Sequence, residues 1–194
     1  MSLILNCPVR DNMLVERYLF FMYKVPLGTV YIMANTYTQI HIQAVIAVQN
    51  RECIIRNSWK EELYKYISGI VQCNNHKLLS INGLPDHIHI LFGLRPSQSI
   101  ADLMQDVKGS SSKWINDRKL VQGKFSWQEG YGAFSYCKTE VPTIIQYIID
   151  QTNQHKRKTF SGEYYEILKE FEVDFDDRFI FKPVNIDYSV PDGT

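Results

Sequence analysis

The chain has 194 residues, 45% of them hydrophobic and 22% charged, with 10 glycines and 7 prolines; this composition suits one well-cored domain and excludes a disordered or fibrous chain. No apolar run approaches the roughly 20 residues that span a bilayer, since Arg17 and Lys24 bracket the best early candidate at residues 18–23. Formal net charge is zero but unevenly spread: residues 1–158 carry 18 basic and 12 acidic side chains, a surplus of +6, and residues 159–194 carry 3 and 9, a deficit of −6. A mildly basic body can serve as a nucleic-acid surface even when an acidic tail cancels its charge in the sum. An ordinary solvated face followed by an acidic helix explains the same numbers.

Residues 1–32 show no clean period and are punctuated by Pro8, Pro26 and Gly28, so they read as an irregular extension. Met33 follows, and the folded domain, with the true start of translation, is expected there. Tyr37 to Gln49 is rich in Ile, Val, Tyr and Thr and predicts a first strand. Ser58 is a fair N-cap for an amphipathic helix in which Trp59, Leu63, Ile67, Ile70 and Val71 recur until Asn74-Asn75. Lys77–Leu84 and His87–Leu94 read as neighbouring antiparallel strands joined at Pro85-Asp86.

Ser97 or Ser99 caps the next predicted helix, carrying Ile100, Leu103, Met104, Val107, Trp114 and Ile115, with Gly109 and three serines interrupting its middle. The aromatic, glycine-containing stretch from Phe125 to Cys137 predicts a short strand or hairpin. Pro142 suits a first helical turn and opens a helix expected to run to Lys158. Ser161, Tyr164, Ile167, Leu168 and Phe171 suggest a last, acidic helix. The order predicts an α+β fold with helices packed on an antiparallel sheet, one domain over residues 33–181 and a tail over 182–194.

On a strand, His87 and His89 point to one face, so both imidazoles can meet one metal ion while Ile88 enters the core; H-x-H also arises by chance. Tyr147 and Gln151 are four apart on the predicted helix, with His155 a further turn along, which makes that stripe polar; a half-buried tyrosine packed on the sheet is the alternative. Basic residues at His155, Lys156, Arg157 and Lys158, together with Lys108 and Lys113, can neutralise phosphates, and Ser110 can add a neutral hydrogen bond. Trp127, Tyr131 and Phe134 could stack bases, although core packing is the more frequent fate of such rings. The four cysteines contain no CxxC pair and suggest no zinc module.

Together these pieces match a family. Gly83-Leu84-Pro85-Asp86-His87-Ile88-His89-Ile90-Leu91-Phe92 resembles the HUH motif (His, bulky apolar, His) of the single-tyrosine transposases of the insertion sequence 200/605 family. Lys108-Gly109-Ser110-Ser111 in Ser99–Trp114 resembles the helix after that motif, and Trp127 to Ser135 its glycine-aromatic stretch. Tyr147-Ile148-Ile149-Asp150-Gln151 falls where the family has its nucleophile helix. Tyr136-Cys137 departs from the pattern, which has smaller or aliphatic residues there.

The resemblance, over roughly residues 33–160, implies the ferredoxin-like or RRM-like fold of the HUH nucleases. It implies a transposase that cleaves and rejoins single-stranded DNA at hairpin-bearing element ends through a 5′-phosphotyrosine on Tyr147. It further implies Mg²⁺ or Mn²⁺ held by His87, His89 and Gln151, a homodimer, and a cytoplasmic protein that is nucleoid-associated when bound to DNA. DNA contacts are expected from Lys108, Ser110, Lys113, His155, Lys156, Arg157 and Lys158. Two alternatives stand beside this: a related enzyme that processes chromosomal repeat hairpins, and a catalytically silent hairpin-binding protein.

Overall fold

The computed structural model describes residues 37–155 and 158–176. The expected N-terminal extension, the 182–194 tail, Lys156 and Arg157 lie outside the described residues. Strands β1 (His41–Ala47), β2 (Lys77–Leu84), β3 (His87–Gly93) and β4 (Gly132–Tyr136) form one sheet in the order β2-β3-β1-β4. Every pairing is antiparallel. Helix α1 (Asn57–Cys73) connects β1 to β2, and α2 (Ile100–Asp117) connects β3 to β4, which gives the βαββαβ ferredoxin-like arrangement. Three further helices follow: α3 (Val141–Ile149), α4 (Gln151–Gln154) and α5 (Phe160–Glu170).

Period-2 alternation divides the sheet into two buried faces. Ile42, Ala44, Ile46, Ile88, Ile90 and Phe92 point to one face and pack with α1 and α2 in the main core. Val45, Ala47 and Phe134 point to the other, where Phe160, Tyr164, Ile167 and Leu168 of α5 cover them in a second core. The register pairs Val45 with His89 and Ala47 with His87. The two histidines therefore belong to the α5 face, and Ile88 to the main core as the alternation requires.

Several expectations need correction. The first strand is shorter than Tyr37–Gln49, and α1 starts at Asn57 after Arg56 rather than being capped by Ser58. Gly109 and its serines do not interrupt α2, which is continuous behind its Ser99 N-cap. Ser111 stays helical because its hydroxyl donates back to the Val107 carbonyl at 2.5 Å while accepting from Trp127 Nε1 at 2.8 Å. Of the two forms expected for Phe125–Cys137, the short strand is the one found: β4, preceded by an isolated bridge between Trp127 and Val48. The expected last helix is present as α5, with Thr159 as its N-cap.

The largest departure lies between Pro142 and Lys158. The helix does not run through: α3 stops at Ile149, Asp150 takes φ −88° and ψ 15°, and α4 is a single short turn ending before His155. Its cause comes from β2. Asn82 Nδ2 donates to the carbonyls of both Ile148 and Ile149 at 2.9 Å, satisfying acceptors that a helix end leaves open. The same pair of bonds ties the helix that carries Tyr147 to the sheet.

Candidate active site

The hairpin that carries the histidines is locally dictated. Gly83 faces Ile88 across the ladder, and a Cβ there would stand 2.2 Å from the His87 carbonyl oxygen, so only glycine fits this close approach. Pro85 and Asp86 make the turn, and their carbonyls accept from Ile55 and Val48 amides at 2.9 and 2.8 Å. The fully buried Asp86 then turns its carboxylate on the next residue, with Oδ1 2.8 Å from His87 Nδ1.

That contact fixes the His87 ring with its Nε2 turned inward, 3.4 Å from Gln151 Oε1. It is the carboxylate–imidazole arrangement that orients metal-binding histidines. His89 has a corresponding support in Gln43 of β1, whose side-chain amide lies 2.8 Å from Nδ1. As placed, Gln43 Nε2 donates to Nδ1 and Gln43 Oε1 is without a hydrogen bond; turning the amide over would let that oxygen accept from an Nδ1–H and leave the Nε2 lone pair of His89 for a ligand. In the structure this Nε2 is buried and has no hydrogen-bond partner.

Residues from α3, α4 and α5 meet the histidine pair. Tyr147 OH donates to Glu163 Oε1, and Gln151 Nε2 donates to the same oxygen at 2.9 Å. Glu163 Oε2 is 2.7 Å from His155 Nε2, and Oε1 is 3.7 Å from His89 Nε2. The Tyr147 ring meets that of His89 edge-on at 6.0 Å, and Phe160 stacks on His87 at 4.0 Å. A cleft of about 240 Å³ opens beside the cluster, lined among others by Ile144, Tyr147, His155, Lys158, Glu163 and Glu166.

One ligand atom each from His87, His89 and Glu163 lie within 4.8 Å of one another, all buried, and such a cluster could bind a metal. Two imidazole nitrogens with a carboxylate suit a divalent transition ion, and the oxygens suit Mg²⁺ or Mn²⁺. The unpartnered His89 Nε2, 3.7 Å from a carboxylate oxygen, is the atom that such an ion would satisfy.

Burial, reinforced by the neighbouring His87 and His155, holds the His89 imidazole well below its usual pKa, against the opposing pull of Asp86. The ring is thus kept neutral, the form that ligates metal. Because the unfolded chain binds this proton near pH 6.5 and the folded chain does not, stability is retained above that pH and lost as pH falls below it. Urea titrations of the metal-free protein should show a midpoint that drops between pH 7 and 5, with a slope of up to about 1.4 kcal/mol per pH unit. His89→Gln should flatten that drop; an unchanged slope would contradict the assignment.

The structure brings together His87, His89, Tyr147, Gln151 and His155. The remaining expected DNA contacts are dispersed. Lys108, Ser110 and Lys113 sit on α2, across the sheet from the histidines. Lys108 Nζ donates to the carbonyls of Gln128 and Gly130 at 2.7 Å, and Lys113 pairs with Asp117 at 2.5 Å. His155 is turned inward to Glu163, and Lys158 pairs with Glu166. Trp127 and Phe134 belong to the two cores, while Tyr131 is exposed.

No site role was read from the sequence for Glu163, Asp86, Gln43 or Asn82. Only Glu163 had a signal. It lies three residues after Phe160 and four before Ile167, on the buried stripe of α5, where a carboxylate is out of place unless it is used.

Comparison with known proteins gives the family. The family described as "Transposase IS200 like" matches residues 36–151. The chain belongs to that family, whose members are DNA-processing enzymes. It is 21% identical over 118 residues to the ISDra2 transposase TnpA of Deinococcus radiodurans, covering 58% of this chain and 84% of the relative. A solved structure described as a transposase from Deinococcus radiodurans R1 shares the fold, with a TM-score of 0.50 and 20% identity over 61% of this chain and 95% of that one. The REP-associated tyrosine transposase bound to a REP hairpin gives a TM-score of 0.49 and 13% identity, covering 63% of this chain and 72% of that one. Among the described residues no helix is long and apolar enough to cross a membrane.

Proposed function

We propose that this transposase cuts and rejoins single-stranded DNA at hairpin-bearing ends, with Tyr147 as nucleophile, acting as a homodimer. The observation that carries the reading is the convergence of the Tyr147 hydroxyl with His87, His89, Gln151 and Glu163 from three separate parts of the chain. His87 and His89 would hold a divalent cation, Mg²⁺ or Mn²⁺, with Gln151 and Glu163 as the available oxygen donors. Bound there, it supplies Lewis-acid polarisation of the scissile phosphodiester and offsets the charge growing on its oxygens.

The chain's own residues do the rest. Asp86 and Gln43 orient the two imidazoles, and Asn82 fixes the end of the helix that presents the tyrosine. As the Tyr147 Oη–P bond forms, the phenol gives up its proton and the P–O3′ bond breaks, leaving a 5′-phosphotyrosine and a free 3′-OH. A phenol of pKa ~10 is mostly protonated at neutral pH, so the charge of the site must assist its ionisation. Because the phosphodiester is exchanged for a phosphotyrosine rather than hydrolysed, a 3′-OH can reverse the step and join strands.

The test is a denaturing gel of the protein with end-labelled single-stranded DNA from the gene's flanks, with Mn²⁺ or Mg²⁺ and without. A covalent adduct is expected from the wild type with metal and from neither the metal-free reaction nor Tyr147→Phe. Hairpin binding without any adduct would favour a silent DNA-binding protein instead.

A further inference from the structure

We propose that Glu163 is a shared acceptor for which the Tyr147 hydroxyl and the divalent cation compete, so that seating the ion releases the tyrosine from a parked position. The inference rests on the metal reading above and assigns a positioning role to a residue of α5, outside the segment that matches the family pattern.

A carboxylate oxygen offers two lone-pair directions. Both on Glu163 Oε1 are engaged, one by the Tyr147 hydroxyl and one by Gln151 Nε2, while Oε2 is held by His155 Nε2 at 2.7 Å. The nearest ligand atom of the histidine pair, His89 Nε2, is 3.7 Å from Oε1 and has no hydrogen bond. An ion lying between them must draw on an oxygen whose acceptor capacity is already in use.

Gln151 need not yield, because its Oε1 already faces His87 Nε2 at 3.4 Å while its Nε2 points to Glu163. One amide can therefore turn its oxygen to the ion and keep its donor on the carboxylate. The Tyr147 hydroxyl has one proton to give, and Glu163 Oε1 takes it. Its bond to Glu163 is the one that gives way, and the phenol is freed toward the cleft that its ring lines.

Competition is reciprocal: what the ion takes from the tyrosine, the tyrosine takes from the ion. Removing the hydroxyl should therefore tighten metal binding. In calorimetric titrations of Mn²⁺ into the DNA-free protein, Tyr147→Phe should bind about tenfold more tightly than wild type, as expected for losing one hydrogen bond to a charged group. Glu163→Gln should bind at least tenfold more weakly, and His89→Ala should not bind measurably. Circular dichroism melts of each variant confirm that it is folded.

A Tyr147→Phe affinity equal to or weaker than wild type, with binding still dependent on His89, would overturn the competition and leave the metal site standing. Mn²⁺ binding that ignores His89, or none in any chain, would overturn the metal reading and this inference with it. Unchanged affinity in Glu163→Gln would show that the carboxylate only packs.

Discussion

A chain carrying His89→Ala should form the covalent DNA adduct at least about 10³-fold more slowly than wild type at a Mn²⁺ concentration that saturates wild type. The imidazole is fully buried, its Nδ1 is held by Gln43, and its Nε2 is the unpartnered atom aimed at Glu163. Losing one of two imidazole ligands removes most of a Lewis-acid contribution of several kcal/mol, and ~4 kcal/mol corresponds to about 10³ in rate. Initial rates of adduct formation measure this directly. A residual rate within tenfold of wild type would mean that the histidine pair is structural.

The second large effect falls on folding. Gly83→Ala should destabilise the protein by about 3 kcal/mol or more. The added methyl would stand 2.2 Å from the His87 carbonyl oxygen and 2.7 Å from the Ile88 Cα. Both obstacles are backbone of the strand that carries the histidines, so no rotamer change relieves them. The ladder between β2 and β3 must open or shift, against a total stability of roughly 5–15 kcal/mol for a domain of this kind. Urea denaturation gives the number, and a loss below 1 kcal/mol would contradict the packing described.

The hairpin was legible in the sequence because everything that makes it is local. Alternating apolar residues on both sides of Pro85-Asp86 specify two strands, and the register follows from the turn. The same alternation separated His87 and His89 from Ile88. Helices α1 and α2 declared themselves by periodicity, and Gly109 misled only because the compensating Ser111–Val107 bond was not visible.

What was not legible depends on distant partners. Pro142 to Lys158 reads as one helix, and the break at Asp150 is maintained by Asn82, which is 67 residues from Ile149 along the chain. Glu163 was hidden by its company. Among the acidic residues beyond 158 it looks like one more solvated charge, and only the second core, which buries the opposite sheet face under α5, turns it inward. The site's nitrogen donors and its tyrosine could thus be named from motif spacing, while the carboxylate that joins them required the third dimension.

The second core has a consequence for where this protein can be cut. Residues 36–151 match the family pattern, yet Val45, Ala47 and Phe134 on that segment are covered by Phe160, Tyr164, Ile167 and Leu168, which lie beyond it. A chain ended at 151 would present that apolar sheet face, with the histidine strand in its middle, directly to water. Such an exposed sheet surface invites self-association, so expression of the minimal family segment alone should yield aggregates, whereas a chain extended through α5 should remain dispersed.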